Sequence, residues 1–362
     1  MNIPTVLDYR VKTMKTVTFD SIIFGLQKYG GISNYWNKII EYTHNSGEYR
    51  VQLLLPNEIM SKTFELQNYG NNEIQFENEI STKISRYCTI KNTDSEILHT
   101  SYYRVPHKPV SKFIVTVYDF IYERFRFGPA NWVHRYQKNN AIRKADKIIC
   151  ISEFTRQDIL KYCPNINPDK IYVIPLGVDR SIFYPDYSNN VLQKMQIVFV
   201  GLRQGYKRFD LVVEALRNNK LFNLGIVGPP LRNNELKFIT DALGSNWYYY
   251  GSVSDSGLRE IYSNAHCFVF PSDYEGFGLP ILEAMACGCP VVCSQAASLP
   301  EVGGNAAFYV TEQTPNAYLN AFIELKSKIL RDELTSLGSS RVLEYSWEST
   351  CTKTLNLYSD NH

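Results

Sequence analysis

Two glutamates, Glu275 and Glu283, lie in the segment Pro271-Ser-Asp-Tyr-Glu-Gly-Phe-Gly-Leu-Pro-Ile-Leu-Glu-Ala-Met-Ala-Cys-Gly288. The apolar run Cys267–Phe270 before it reads as a strand, and the residues from Pro280 to Cys287 read as a helix. Gly276 and Gly278 permit a tight turn whose backbone approaches a ligand closely. Pro280 suits the first helical position, and Gly288 suits a left-handed stop. Free amides near Phe277–Leu279, together with the helix dipole, make an anion site suited to phosphate. Carboxylates beside phosphate would repel it, so Glu275 and Glu283 make better sense as acceptors for sugar hydroxyls. The plainer alternative is a loop acid plus a first-turn glutamate favoured by the dipole. The glycines and the proline around the pair argue against it.

A second constellation is Arg203 with Lys207, which follow the apolar run Gln196–Val200 and precede a helical pattern over Asp210–Leu216. A forked guanidinium and a compact ammonium both suit phosphate oxygens. No D-x-D occurs, Asp273-Tyr-Glu275 being the nearest approach, so no metal is expected and the basic pair supplies the positive charge. Less specific is Leu98-His99-Thr-Ser-Tyr102-Tyr103-Arg104, which follows a strand end. Its His99, Tyr102 and Tyr103 are candidates for meeting an acceptor, set against a structural strand-to-loop role. The stretch Arg124-Phe-Arg-Phe127, with Trp132 and Arg135, is aromatic and basic. It suggests a peripheral contact with anionic membrane, against an ordinary solvated helix with a packed aromatic edge.

These residues need a scaffold, and the sequence supplies a repeating one. Short β-rich segments (Val17–Phe24, Tyr49–Leu55, Glu96–His99, Phe113–Val117, Lys147–Ile151) alternate with helical patterns at Ile32–Tyr42, Trp132–Arg143 and Thr155–Lys161. The polar stretch 185–190 reads as a linker, after which the alternation restarts at Gln196 and runs to Cys293. That order predicts α/β architecture with two Rossmann-like, doubly wound domains, over 1–185 and 186–346. Ligands in such sheets bind beyond the carboxyl ends of the strands, so two facing sheets would place the site in a cleft. A chain of 362 residues suits two domains at roughly 150 residues each. Residues 1–13 do not fit the first strand, and Met14 resembles a natural start.

Composition narrows the classes. The chain is 44% hydrophobic and 20% charged, a globular balance. A net charge of 38 − 36 = +2 argues against bulk binding of nucleic acid. No apolar run approaches the ~20 residues of a spanning helix, and no secretory signal is evident, so a cytoplasmic protein is expected. Cys287, Cys289 and Cys293 are spaced C-x-C-x3-C rather than as a zinc site, and read as buried thiols.

The E-G-F-G-L-P-x-L-E run resembles the E-x7-E signature of the retaining glycosyltransferases of family 4, which adopt the GT-B fold. Further matches follow in order: Gly30-Gly31-Ile-Ser, Cys150-Ile-Ser-Glu-Phe-Thr155, Ile174-Pro-Leu-Gly-Val-Asp179, Phe199-Val-Gly-x-Arg203 with Lys207, Tyr250-Gly-x-Val253 and Pro300-Glu-Val302. The resemblance implies that Arg203 and Lys207 hold the diphosphate of a nucleotide-sugar donor, and that Glu275 serves the transferred sugar at the reaction centre. It implies that Glu283 takes the ribose and the backbone of Gly276, Phe277, Gly278 and Leu279 meets sugar and phosphate. Val253 lies near the base, and Gly31 lets the first-domain loop approach the donor. It also implies that the helix over 347–362 packs back on the first domain. The chain departs from the family at Tyr118-Asp119, where relatives carry His-Asp; Asp119 is carried over as a donor contact without an acid/base role at 118. At Lys207-Arg208-Phe-Asp it resembles a version seen in polysaccharide mannosyltransferases, which slightly favours GDP-mannose over a UDP-sugar.

The activity so implied is retaining transfer of a hexose to a glycan or lipid-linked acceptor in cell-surface polysaccharide synthesis. It would occur in the cytoplasm or at the inner face of the membrane, with no cofactor beyond the co-substrate. Two rivals are a dehydrogenase, which needs a third glycine that the chain lacks after Gly276-Phe-Gly278, and a non-catalytic nucleotide-sugar-binding subunit.

Overall fold

The structure, a computed structural model, describes residues 14–27, 30–61, 64–76, 81–91, 95–126, 128–186, 195–203 and 205–359. The expected tail 1–13, most of the expected linker and Phe127 lie outside the described residues.

The first strands are β1 (Thr16–Asp20), β2 (Arg50–Leu55), β3 (Ile74–Phe76), β4 (Ile97–Thr100), β5 (Lys112–Val117), β6 (Lys147–Cys150) and β7 (Ile171–Val173). Among the described residues they form one sheet in the order β3-β2-β1-β4-β5-β6-β7. Its helices are α1 (Gly31–Ser46), α2 (Thr82–Ser85), α3 (Ile121–Phe125), α4 (Pro129–Lys144) and α5 (Glu153–Tyr162). The second set is β8 (Met195–Val200), β9 (Phe222–Val227), β10 (Trp247–Gly251), β11 (Cys267–Phe270), β12 (Val291–Ser294) and β13 (Ala307–Val310). These pair in parallel in the order β10-β9-β8-β11-β12-β13. The helices that follow are α6 (Phe209–Ala215), α7 (Asn233–Leu243), α8 (Asp255–Asn264), α9 (Leu279–Ala286) and α10 (Leu299–Gly303). The chain ends with α11 (Pro315–Glu324), α12 (Lys328–Arg341) and α13 (Trp347–Ser359).

Strands such as Lys-Ile-Ile-Cys, Cys-Phe-Val-Phe and Val-Val-Cys-Ser are buried at every position. Continuous burial marks parallel strands covered on both faces, and explains why they read as apolar runs without alternation. In each sheet the order reverses beside its first strand, since β1 sits between β2 and β4, and β8 between β9 and β11. The expected first strand Val17–Phe24 is shorter than its apolar run. It stops at Asp20 and a 3₁₀ turn over Ile22–Gly25 continues the buried stretch.

Contacts divide the chain into two compact units. One comprises Met1–Thr116, Asn140–Ile148 and Leu355–His362; the other comprises Val117–Asn139 and Ile149–Thr354. The division by compactness therefore does not fall at the linker expected at 185–190.

Within the first unit, His99 occupies β4 and is fully buried, 4.7 Å from the Trp36 ring. Its Nδ1 lies 2.7 Å from Tyr358 Oη and its Nε2 2.8 Å from Thr116 Oγ1. Lys112 Nζ donates to the carbonyls of Leu357 and Tyr358, each at 3.0 Å, which ties the end of α13 to β5. His99 thus corrects the expectation of an acceptor contact: both ring nitrogens are engaged within the core and no part of it is exposed. Tyr103 is buried with φ +60°, and the Tyr102 hydroxyl accepts from Arg86 Nη2 at 2.5 Å. Gly31 opens α1.

Burial pushes the His99 imidazole down to about 3. An unfolded chain titrates near the ordinary ~6.5, so the unfolded state takes up a proton first. The stabilisation from a neutral His99 is complete above that value and is lost as the pH falls towards 3. Between pH 7 and pH 5 this costs the wild type about 2 kcal/mol of unfolding free energy. The His99→Gln variant has no such share, so its pH slope in denaturant titrations is shallower; identical slopes would refute this account.

Candidate functional site

The site is built on the turn between β11 and α9, and backbone packing sets its shape. A Cβ on Gly276 would lie 1.8 Å from the Tyr118 carbonyl oxygen, so only glycine fits. The Gly276 carbonyl accepts from Ser152 Oγ at 2.7 Å and from Thr155 Oγ1 at 3.1 Å. On the other side, Ser298 Oγ lies 2.9 Å from the Glu275 carbonyl and 2.7 Å from that of Phe277. With three successive carbonyls turned to buried hydroxyls, the amides of Gly276 to Leu279 find no acceptor among the described residues. Gly278 adopts φ +112° as it enters α9, where a Cβ would also lie 3.0 Å from Leu299. Unpaired amides at the start of a helix attract anions, through both hydrogen bonds and the dipole.

The hydroxyls are themselves held. Ser152 caps α5 by accepting from Thr155 N at 3.0 Å. The Glu301 carboxylate of α10 accepts from the Glu153 and Phe154 amides at 2.8 and 3.2 Å, at the same helix terminus. Tyr274 Oη accepts from Phe120 N and donates to Asp158, both at 2.8 Å. Asp158 in turn pairs with Arg124, whose guanidinium lies 4.7 Å over the Tyr274 ring. Sequence reasoning singled out 150–155 and 300–302 without a mechanical role and missed Ser298, Tyr274 and Asp158. The one local signal was the Ser-x-x-Thr cap at 152–155.

Side chains around this turn carry the charge. Lys207 Nζ lies 2.5 Å from Glu275 Oε1, both side chains being largely buried. The Asp273 amide donates to the Tyr206 carbonyl at 2.8 Å, which ties the segment bearing Lys207 to the turn. The Tyr206 ring stacks on Phe125 at 5.3 Å. Burial, then the charges of Glu275 and Asp119, raises the Tyr206 phenol. Asp119 is half-buried: its Oδ1 accepts from Ile121 N at 3.1 Å, and its carbonyl accepts from Lys138 Nζ at 2.8 Å. Arg203 turns the other way, donating through Nη2 to the carbonyls of Pro229 and Pro230 at 2.8 and 3.0 Å.

Glu283 lies in α9, half-buried and without a hydrogen-bond or ion-pair partner among the described residues. Burial pushes its carboxyl up to about 8, with the Asp255 charge adding to the effect. Val253 is half-buried just before α8. Among the described residues, no cluster of three or more His, Cys, Asp or Glu side chains is placed to hold a metal ion. The second unit therefore contains Arg203, Lys207, Glu275, Gly276–Leu279, Asp119, Val253 and Glu283, while Gly31, His99, Tyr102 and Tyr103 belong to the first.

The aromatic and basic stretch resolves into two parts. Arg124 is held by Asp158, and Arg135 donates to the carbonyls of Tyr122, Glu123 and Arg126, so these cations serve the fold. Trp132, Val133 and Tyr136 stand out on α4, at 71%, 51% and 75% exposure. No helix among the described residues is long and apolar enough to cross a membrane.

A Gly276→Ala substitution drives a methyl group into the Tyr118 peptide and is expected to cost about 3 kcal/mol, the upper range for overpacking. At Gly205 a Cβ would meet nothing within 4 Å. Gly205→Ala is therefore expected to melt like the wild type, and equal melting temperatures for the two variants would show that the close approach imposes no constraint.

The family model for Glycosyltransferase Family 4 matches residues 29–182, and that for Glycosyl transferases group 1 matches residues 185–337. The O-antigen chain mannosyltransferase B of Escherichia coli is 29% identical over 282 residues, covering 72% of this chain and 74% of that one. The solved sucrose-phosphate synthase of Thermosynechococcus elongatus superposes with a TM-score of 0.74 at 17% identity, over 95% of this chain and 98% of the other. Anabaena HepE in complex with UDP-glucose superposes with a TM-score of 0.74 at 14% identity, over 95% and 99%.

Proposed function

Because the chain belongs to the family 4 glycosyltransferases of GT-B fold, we propose that it moves a hexose from a nucleotide-diphosphate sugar to a glycan or lipid-linked acceptor with retention at the anomeric carbon. The observation that carries this reading is the pinned turn. Unpaired amides at Gly276–Leu279 stand beside a lysine and a carboxylate within 2.5 Å of each other, a combination suited to a phosphate bonded to a sugar.

In this reading the amides and Lys207 take the phosphate nearest the sugar, and Arg203 takes a further phosphate oxygen. Glu275 orients the sugar, and Glu283 accepts from the ribose hydroxyls. Asp119 lies against the donor from the Tyr118–Phe120 loop, and Val253 near the base. Tyr102 and Tyr103 are proposed for the acceptor side. The bond from the anomeric carbon to the phosphate oxygen breaks as the acceptor oxygen bonds to the same face of that carbon. A donor phosphate oxygen takes the acceptor proton, so the products are the glycoside and the nucleoside diphosphate. The protein supplies positioning and stabilises the leaving charge.

The relative named as an O-antigen chain mannosyltransferase supports mannose as the transferred sugar and a polysaccharide chain as the product, and we propose GDP-mannose as the donor. The HepE complex with UDP-glucose keeps a UDP-sugar as the second reading. Lys207 and Arg203 replace a divalent ion in this scheme, so transfer should persist in EDTA. A thermal-shift screen of GDP-, UDP- and ADP-sugars identifies the donor: at ~100 times its dissociation constant, a true donor adds about 2.7 kcal/mol of apparent stability. Transfer lost in EDTA and restored by Mn²⁺ would overturn the metal-free scheme.

Kinetics separate the glutamates. Glu275 acts where charge develops, so Glu275→Ala is expected to lower kcat by about 10²–10³-fold. A ribose contact is the same in ground and transition states, so Glu283→Ala mainly raises the donor KM. Full kcat for Glu275→Ala at saturating donor would remove Glu275 from the reaction centre.

The exposed Trp132, Val133 and Tyr136 form the face we assign to a bilayer surface, since indole and phenol rings favour the headgroup level. The double variant Trp132→Ser, Tyr136→Ser is expected to stop floating with phosphatidylglycerol vesicles while keeping transfer to a water-soluble acceptor. Flotation equal to the wild type would show that this face does not meet the membrane.

A further inference from the structure

We propose that Glu235 is a positioning residue that aims Arg203, leaving the Nη1 edge of its guanidinium as the part that meets a phosphate. This rests on the reading of Arg203 as a ligand of the donor diphosphate. Arg203 follows β8, and Glu235 stands in the first turn of α7, which follows the neighbouring strand β9. Glu235 is itself fixed, because its Oε2 accepts from the Arg232 amide at 2.8 Å where α7 begins. From there its Oε1 lies 3.3 Å from Arg203 Nε, and its Oε2 lies 3.4 Å from Nη2.

The other groups on the guanidinium show which edge remains. Nη2 is engaged by the carbonyls of Pro229 and Pro230. The Arg203 side chain is only 4% exposed, yet Nη1 is buried with no hydrogen-bond partner among the described residues. Nε also lacks a hydrogen bond of good geometry, but faces the Glu235 carboxylate. A Cβ on Gly228 would lie 3.5 Å from Nη1 and 2.5 Å from the Gly201 carbonyl, so the backbone at the ends of β8 and β9 is bare beneath that nitrogen. Nη1 is thus a buried donor without a partner among the described residues, beside Gly228 at the carboxyl end of β9. Buried donors of this kind are costly unless a ligand or water satisfies them. Without Glu235 the Pro229 and Pro230 carbonyls would hold Nη2 alone, and the Nε edge would lose the carboxylate that fixes the guanidinium's rotation about that contact.

The test is a double-mutant cycle on the full chain, measuring the dissociation constants of GDP and UDP by calorimetry, with kcat and donor KM. Glu235→Ala is expected to weaken binding of the diphosphate that fits by about 10-fold, a coupling typical of contacting residues. In an Arg203→Ala background the same change is expected to do nothing further, and Glu235→Gln, which keeps an acceptor oxygen, should recover most of the affinity. A helix cap alone would lower the melting temperature and leave the cycle additive, so additive effects overturn the positioning role. If Arg203→Ala binds GDP and UDP like the wild type, the diphosphate role of Arg203 fails, and this inference with it. Should Glu235→Ala fail to fold, Glu235→Asp completes the cycle; it keeps the charge but withdraws it from Nε, and must weaken binding only where Arg203 is present.

Discussion

The site depends on the absence of one methyl group. Gly276 packs so closely on the Tyr118 carbonyl that no side chain fits, and Ser152 and Thr155 hold its own carbonyl. Fixing that peptide fixes the direction of the next amides, because each planar unit carries its N–H opposite its C=O. Ser298 repeats the operation at Glu275 and Phe277. The open amides of the turn therefore come from its carbonyls being occupied elsewhere, with hydroxyls as the agents. Preorganisation of this kind acts without reorganising at the moment of reaction.

A second constraint is topological. Strand β8 is flanked by β9 and β11, so the segment after it has a neighbouring loop on each side. Arg203 reaches the loop after β9, and Lys207 reaches the loop after β11. One short segment thereby distributes two cations across the place where the strand order reverses. This is where open α/β sheets bind ligands. The same reversal brings a carboxylate to each cation: Glu235 follows β9, and Glu275 follows β11.

Much of this was legible in the sequence because it is written locally. Several strands of the second sheet are short apolar runs bounded by breakers. Cys267–Phe270 has the same limits expected and observed, and the run from Gln196 starts one residue earlier, as Met195–Val200. Strand β13 lies beyond Cys293, where the expected alternation ends, and was missed. The turn with its glycines and proline was equally plain, since φ +112° at Gly278 and a helix starting beside Pro280 are local demands. His99 was misread because it was placed at a strand end facing a ligand. It lies within β4, and what fixes its role is Tyr358, 259 residues away. Ser298 and Asp158 left no mark for the same reason: each is defined by a partner far along the chain. Gly276 was legible as a glycine that a turn needs, while the stricter demand, from Tyr118, was not.

The Lys207–Glu275 pair gives the proposed chemistry its electrostatic logic. At 2.5 Å, with both side chains largely buried, lysine and glutamate neutralise each other. Two unit charges about 4 Å apart interact by ~4 kcal/mol at an effective dielectric constant of 20, so neither is lightly left alone. A diphosphate brings more negative charge than one carboxylate, and the amides of Gly276–Leu279 share it, so Lys207 can turn to the phosphate at modest net cost. On the proposed reading, Glu275 would then be freed beside the sugar, its charge unmasked when a donor occupies the turn. In the proposed scheme, the carboxylate that would orient the sugar would become available through the same contact that binds the leaving group. On departure of the nucleoside diphosphate, the same scheme returns Lys207 to Glu275, the 2.5 Å pair seen in the structure.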